Sequence, residues 1–330
     1  MGGTVAGPTR NRRREWTPTE RAGFIGALTI VMGALFLTTY TLALGDPVPH
    51  RIDAALVGSA QHNPRAVTDL ESVTDGKLAL RRYGSLTAAR DELDRQHIYA
   101  ALDLTATRPT LYIASAAGAS VARVLERVYP LDSHIRVVDL HPLAVADPSG
   151  VDVFYLMLIA TIVAFLTVFQ VRANAGGLPL KHWTVFVAGY AFVAAFALTL
   201  VVGPLLNRFD VPVPETWGIL FLHILAVSSF ASVMTVLVGR WAILPTWLFF
   251  VVLGNSASGG AVAAPLLPAP FAFLSQWLPS GATVTSLRNA IYFPSFQHAR
   301  PLLVIAAWAA LLLGVMVTTA HRRRTSPGVA

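Results

Sequence analysis

The sequence predicts an α-helical integral membrane protein with six transmembrane helices. An extracytoplasmic α/β domain is inserted between helices 1 and 2, and a re-entrant or interfacial hairpin lies between helices 5 and 6. Three observations carry this prediction. The chain is 54% hydrophobic and only 13% charged, where a soluble domain carries about 25% charge. Its uncharged runs reach the ~20 residues that cross a ~30 Å hydrocarbon core. Its basic excess, +7 overall, falls on one side of the predicted membrane.

Residues 1–23 form a basic cytoplasmic N-terminus with Arg10, Arg12, Arg13, Arg14 and Arg21. Phe24–Leu44 carries no charge and forms the first span, 24–44. A cleaved signal peptide is the rival reading. Its apolar region is usually about 7–15 residues, shorter than this run, and Leu42-Ala43-Leu44-Gly45 is only a fair cleavage site. An anchor helix is therefore expected.

The texture changes over residues 45–150. From Asp46 to Gly150 there are 13 acidic and 11 basic residues. Ile52–Val57, Leu78–Tyr83, Ile98–Leu104, Leu111–Ala114 and Ile135–Leu140 read as strands. Ala66–Ser72, Leu86–Gln96 and Ala119–Val128 read as helices. The order βαβαββαβ describes a compact α/β domain.

After Asp147-Pro148-Ser149-Gly150 the chain enters a membrane domain over 151–320. Its predicted spans are 153–171, 183–206, 217–239, 241–264 and 302–320, followed by a cytoplasmic tail at 321–330 that begins His321-Arg322-Arg323-Arg324. With the N-terminus inside, the inner loops and ends hold eleven basic residues against only Glu15 and Glu20. On the outer side Arg208, Arg288 and Arg300 balance Asp152, Asp210 and Glu215. The whole excess is cytoplasmic, as the positive-inside rule requires. The basic composition is thus a topology signal for a multi-pass plasma-membrane protein, and no nucleic-acid partner is expected.

Several chemistries find no support. With no cysteine there is no disulfide, thiol catalysis or Cys-ligated metal. No phosphate-binding Gly-x-x-x-x-Gly-Lys-Ser/Thr loop is present. The six predicted spans hold no Asp, Glu, Lys or Arg, which weighs against ion-coupled antiport. His223, within the fourth span, reads as an interfacial or helix-contact histidine. His141 with Asp139 and Asp147 reads as loop residues rather than a metal group. Ser115 and Ser120 flank a strand-to-helix turn, with Ser120 near an N-cap. No metal, cofactor or catalytic residue is expected, and an enzyme acting on a lipid-linked substrate ranks last.

The most informative stretch is 241–300. Gly254-Asn255-Ser256-Ala257-Ser258-Gly259-Gly260 breaks a helix at membrane depth. Such backbone is tolerated only when buried in protein or lining a cavity. Asn255, Ser256 and Ser258 can satisfy freed backbone groups, and Gly259-Gly260 permits close helix approach. Pro265, Pro268 and Pro270 then space out a hairpin too short to cross twice. Ala282–Phe293 reads as a short amphipathic helix with Val284, Leu287 and Ile291 on one face. Asn255, Ser256, Ser258, Gly259, Gly260, Pro265 and Pro268 are the candidate gate or conduit residues; packing and capping is the alternative reading of the same segment.

Here the residues carry a resemblance. The break at 254–260, Leu267-Pro268, Leu278-Pro279-Ser280-Gly281 and Leu287-Arg288-Asn289-Ala290-Ile291-Tyr292-Phe293 resemble the C-terminal signature of the ABC-2-type membrane permease superfamily. The branch is the phage-infection-protein-like (YhgE/Pip) and nitrosoguanidine-resistance-like one. Pro279, Gly281, Arg288, Asn289, Tyr292 and Phe293 form its outer-hairpin signature. Leu111–Gly118 and Asp147–Gly150 are also similar to outer domains of that branch. The topology match covers the whole chain, and the specific match about residues 241–320. The resemblance implies an export-type permease half, normally a homodimer, driven by a separate ATPase and moving an amphipathic or lipid-like compound. One departure stands out: the loop expected to dock the ATPase is only Arg172–His182, leaving Trp16–Arg21 as the possible interfacial helix. The alternative is a non-transporting receptor or assembly protein acting through its outer domain.

Overall fold

The computed structural model describes residues 17–61, 63–128, 134–175, 177–208 and 210–325, with side chains to residue 319. The arginines at 10 and 12–14, Trp16, the side chains of 322–324 and the tail from 326 lie outside the described residues. The chain is mostly helical, 66%, with a small sheet and five stretches long and apolar enough to cross a membrane.

The first stretch is α1, Pro18–Leu44. Its start is encoded locally. Thr17 accepts from the Glu20 N–H at 3.2 Å, while the Glu20 carboxylate accepts from the Thr17 N–H at 2.8 Å. With Pro18 at the first helical position this is a capping box. The helix runs unbroken from there, so residues 17–21 form its first turn rather than a separate interfacial helix. Of its side chains only Ala43 is buried.

The α/β domain follows: β1 Ile52–Val57, α2 Pro64–Val73, β2 Leu78–Tyr83, α3 Leu86–Asp94, β3 Ala100–Asp103, β4 Thr110–Ile113, α4 Ala119–Glu126 and β5 Arg136–Asp139. The sheet order is β2-β1-β3-β4-β5, parallel except for the β3–β4 pair. Period-two alternation assigns each strand residue to a face. Ile52, Ala54 and Leu56 pack with Leu70 of α2 and Leu125 of α4, while Ala55 and Val57 pack with Ala89 and Leu93 of α3. Neither face is closed by the domain alone. Val262, Ala263, Leu266 and Leu267 complete the first core, and Phe293 the second. The domain shares its cores with the 262–293 segment and is not an independent appendage.

The membrane part contains α5 Asp152–Asn174, α6 Leu180–Leu200 continuing as a π-helical turn to Leu205, α7 Val213–Val238, and α11 Ala299–Thr325. Asp147 caps the entry to α5, accepting from the Val151 and Asp152 N–H groups at 3.1 and 2.9 Å. α7 is the centre of the bundle and packs on α5, α6 and α11. Its buried Ala226, Ser228, Ala231 and Ser232 are small enough for close approach. The outward residues are large and apolar: Val185 is 65% exposed, Val193 64% and Leu303 67%. In water that surface would be costly; in lipid it needs no partner.

The predicted span 241–264 is corrected. The fourth apolar stretch, Val213–Asn255, is 43 residues long, but it is not one rod. Phe230 and Phe249, ~28 Å apart along a straight helix, stack at 5.2 Å. The chain reverses at Gly239, whose φ of +58° suits glycine. The returning limb is α8 Ile243–Trp247 and a π-helical run Leu248–Asn255. With the 3-10 turn Gly239–Ala242 that leads into it, the limb from Arg240 to Asn255 reaches ~24 Å at 1.5 Å per residue, at the short end of what crosses a ~30 Å core. Residues 257–263 are not helical, because the segment turns through Ser258 and Gly259, the latter at φ +72°.

A second correction concerns the predicted amphipathic helix. After α9 (Ala269–Ser275) comes α10, Pro279–Tyr292. It is buried on nearly every side, packed against α5, α7, α11 and the Leu248–Asn255 limb. It is an internal helix, not one lying in the interface.

Candidate functional site

Two polar clusters are buried beneath the α/β domain. The first is centred on His223 of α7, which is a helix-contact residue and not an interfacial one. Its ring nitrogens lie 2.8 Å from Thr161 Oγ1 of α5 and 2.9 Å from Thr283 Oγ1 of α10. Each threonine hydroxyl also approaches the carbonyl four residues earlier, Met157 and Pro279. An uncharged imidazole donates from one nitrogen and accepts at the other. One threonine therefore gives its proton to the ring and the other keeps it on its own helix. Further along α7, towards the end opposite the α/β domain, Trp183 Nε1 donates to Ser232 Oγ at 3.1 Å, and Arg172 lies 3.8 Å over the Trp183 ring.

The second cluster lies where the returning limb ends. Asn255 is 1% exposed, and neither end of its amide has a partner at hydrogen-bonding geometry; the Tyr40 hydroxyl of α1 is its polar neighbour. Ser256 and Ser258 are occupied locally. Ser256 Oγ donates to the Val252 carbonyl, and Ser258 Oγ donates to the Asn255 carbonyl at 2.8 Å while accepting from Gly260 N at 3.2 Å. These serines hold the turn. Gly260 packs against Phe154: a Cβ there would lie 2.8 Å from that side chain. Gly254 is similarly tight against Ser280, and a Cβ on Gly281 would overlap the Ser275 carbonyl.

The predicted site residues separate into four places. Ser258, Gly259, Arg288 and Asn289 come together around one cavity of about 120 Å³. Asn255 and Ser256 sit on the limb outside its lining. Pro265 and Pro268 join the seat of the α/β domain: the Pro265 carbonyl accepts from His50 N at 3.0 Å, and Pro268 precedes α9. Phe293 belongs to the same seat, its ring centroid 4.5 Å from that of His141 and tilted against it, with Tyr292 packed beside it. Pro279 and Gly281 lie in the buried first turn of α10.

Sequence reasoning missed the far wall of the cavity. Gln96 and Tyr99 come from the α/β domain, and His298 from the connection to α11. Burial pushes the Tyr99 hydroxyl up from its ordinary value, partly offset by the Arg288 charge facing it. No local pattern marked these residues, since only the folded seat brings residues 96–99 to 258–298. The other side chains weighed in the sequence are structural. His141 pairs with Asp94 at 2.8 Å, Asp139 accepts from Ser115, and Asp147 caps α5. Ser120 is not an N-cap; its Oγ accepts from Ala263 N at 2.9 Å, tying α4 to the turn. Among the described residues no three His, Cys, Asp or Glu side chains converge as metal ligands.

Arg21 and Arg240 meet at the end of the bundle opposite the α/β domain, where Phe24 contacts Trp241, and Arg172 adjoins Arg240 across a shallow groove. At the domain end Arg208 pairs with Asp152 at 2.6 Å, and Gln297 donates to Glu215 at 2.7 Å. No family model, curated protein or solved structure matches the chain.

Proposed function

We propose that the chain is an ABC-2-type permease-like membrane subunit that exports an amphipathic or lipid-like compound with a separate ATPase, acting as a homodimer. In this reading there are six membrane passages, the fifth being the incomplete limb Ile243–Asn255. The basic end bearing Arg21, Arg172 and Arg240 faces the cytoplasm, and the α/β domain lies outside. The observation that carries it is the limb itself: an interrupted helix that ends at a buried Asn255, whose polar neighbour is the Tyr40 hydroxyl, under a domain packed onto the next turn. Interrupted helices of this kind are found where a substrate path crosses the midplane. The ATPase would dock on the basic end directly, since α1 starts without a break and only residues 175–179 join α5 to α6.

The test uses tagged full-length protein in native membranes. An ATPase subunit should copurify, and Asn255→Leu should stop extrusion of an amphipathic dye while protein level and thermal stability hold. Failure to copurify an ATPase, together with unchanged extrusion in a deletion strain, overturns the reading. The short 175–179 connection would then favour a receptor or assembly protein acting through its outer domain. Its binding assay must keep residues 255–298, because the domain's cores depend on them.

A further inference from the structure

The 120 Å³ cavity between the α/β domain and the 258–298 segment has the composition of an anion receptor. Arg288 supplies the charge. Its guanidinium donates to the Gly259 carbonyl at 3.1 Å. The ionisable groups facing it are the hydroxyls of Tyr99 and Tyr292, and among the described residues no carboxylate pairs with it. An arginine has five N–H donors, and a charge removed from water calls for a counter-charge. The wall around it adds donors and no acid. Asn289 is fully buried with both ends of its amide unpartnered, and Gln96 Nε2 is unpartnered. None of the lining residues is acidic.

Size narrows the ligand. At ~30 Å³ per water, the space holds about four waters or one compact oxyanion. Ligand pockets for larger molecules run to about 300–1,000 Å³. The geometry points to a binding site for a phosphate-type oxyanion, held by Arg288 with Asn289, Gln96 and Tyr99 as neutral donors. Arginine suits such a group because its planar donors match two oxygens at once. The oxyanion is either free or the headgroup of an anionic phospholipid. This site is separate from the question of transport, and its test is equilibrium binding to purified full-length protein.

Two arms distinguish the sources. In detergent, inorganic phosphate is titrated against chloride at matched ionic strength, with the thermal midpoint as readout. In nanodiscs, phosphatidylcholine is compared with phosphatidylcholine containing phosphatidylglycerol. A saturable rise with phosphate supports a free-anion site, and a rise with phosphatidylglycerol alone supports a headgroup site. In either case Arg288→Met should abolish the response, Arg288→Lys should retain part of it, and Gln96→Leu should weaken apparent affinity by about tenfold. Should Arg288→Met fail to fold, Arg288→Lys and Gln96→Leu carry the test. No response above the chloride and phosphatidylcholine controls, or equal responses in wild type and variants, overturns the proposal and leaves the export experiment to decide its own question.

Discussion

The His223 cluster and the Asn255–Asn289 segment are both polar, buried and inside the same helical bundle, yet they are built differently. Around His223, both ring nitrogens meet threonine hydroxyls on two other helices. Elsewhere in the bundle, Ser280, Ser286, Asn255 and Asn289 have buried side-chain atoms with no partner at hydrogen-bonding geometry. Satisfied polar groups lock helices together, whereas an unmade hydrogen bond in a low-dielectric interior costs free energy. A fold that keeps four such groups in one segment spends stability there. The difference separates a cluster that fastens helices from a segment whose hydrogen-bonding capacity is not used within the chain.

The largest expected effect comes from lifting the cover. Phe293 is fully buried and closes one core of the α/β domain. Phe293→Ala should cost about 3–5 kcal/mol, read as a lowered thermal midpoint and new protease cleavage within residues 45–150. If the domain stays protected, it does not rest on the 262–293 segment as described, and the contrast between a covered and a fastened cluster weakens.

Next is the close approach that shapes the Asn255–Asn289 segment. Gly281→Ala places a Cβ against the Ser275 carbonyl and should destabilise by about 1–3 kcal/mol. Gly218→Ala on α7 is the control. A Cβ there meets nothing within 4 Å, so replacing a helical glycine should stabilise by about 0.5–1 kcal/mol. Opposite signs from the same chemical change would show that the α10 turn is set by backbone contact. Matching signs would show that it adjusts.

These contacts also mark how far the sequence could be read. β1 and β2 have the bounds their short β-rich runs predicted, because residue preference for strands and the flanking turns are local signals. The apolar runs likewise located the long helices. α10 was misread for a physical reason. Ser280, Thr283, Ser286 and Asn289 recur every three residues and imitate the wet face of an amphipathic helix, but all four are fully buried. Periodicity shows that a helix has two faces; it does not say what each face meets. The borrowed cores of the α/β domain and the cavity wall at Gln96 and Tyr99 were illegible for the same reason. Both depend on contacts between segments more than a hundred residues apart.

His223→Leu tests the fastened cluster. Interhelical hydrogen bonds in membranes are worth ~0.6 kcal/mol on average and up to ~1.7, so losing two should cost about 1–3 kcal/mol. The effect belongs towards the low end, since each threonine hydroxyl retains a carbonyl on its own helix. A change near zero in the thermal midpoint would mean that the cluster fastens nothing, and the comparison would fail on this side.

The smallest effect on stability should come from Asn255→Leu, and that is its value. The Tyr40 hydroxyl is the polar neighbour of this amide, so little hydrogen bonding is forfeited on its removal, and burying an isosteric apolar group in its place is nearly neutral or favourable. The expected thermal midpoint is therefore unchanged or slightly raised. A residue kept at a cost to stability is expected to serve something else, and here the proposed service is passage through the break at residues 255–260. The two readouts must part company: stability intact, export lost. If Asn255→Leu instead lowers the midpoint by as much as His223→Leu, its amide has a structural partner in the working protein, such as the adjacent Tyr40 hydroxyl. Asn255 would then belong with the fastened cluster, and the interrupted limb would be a packing device rather than a gate.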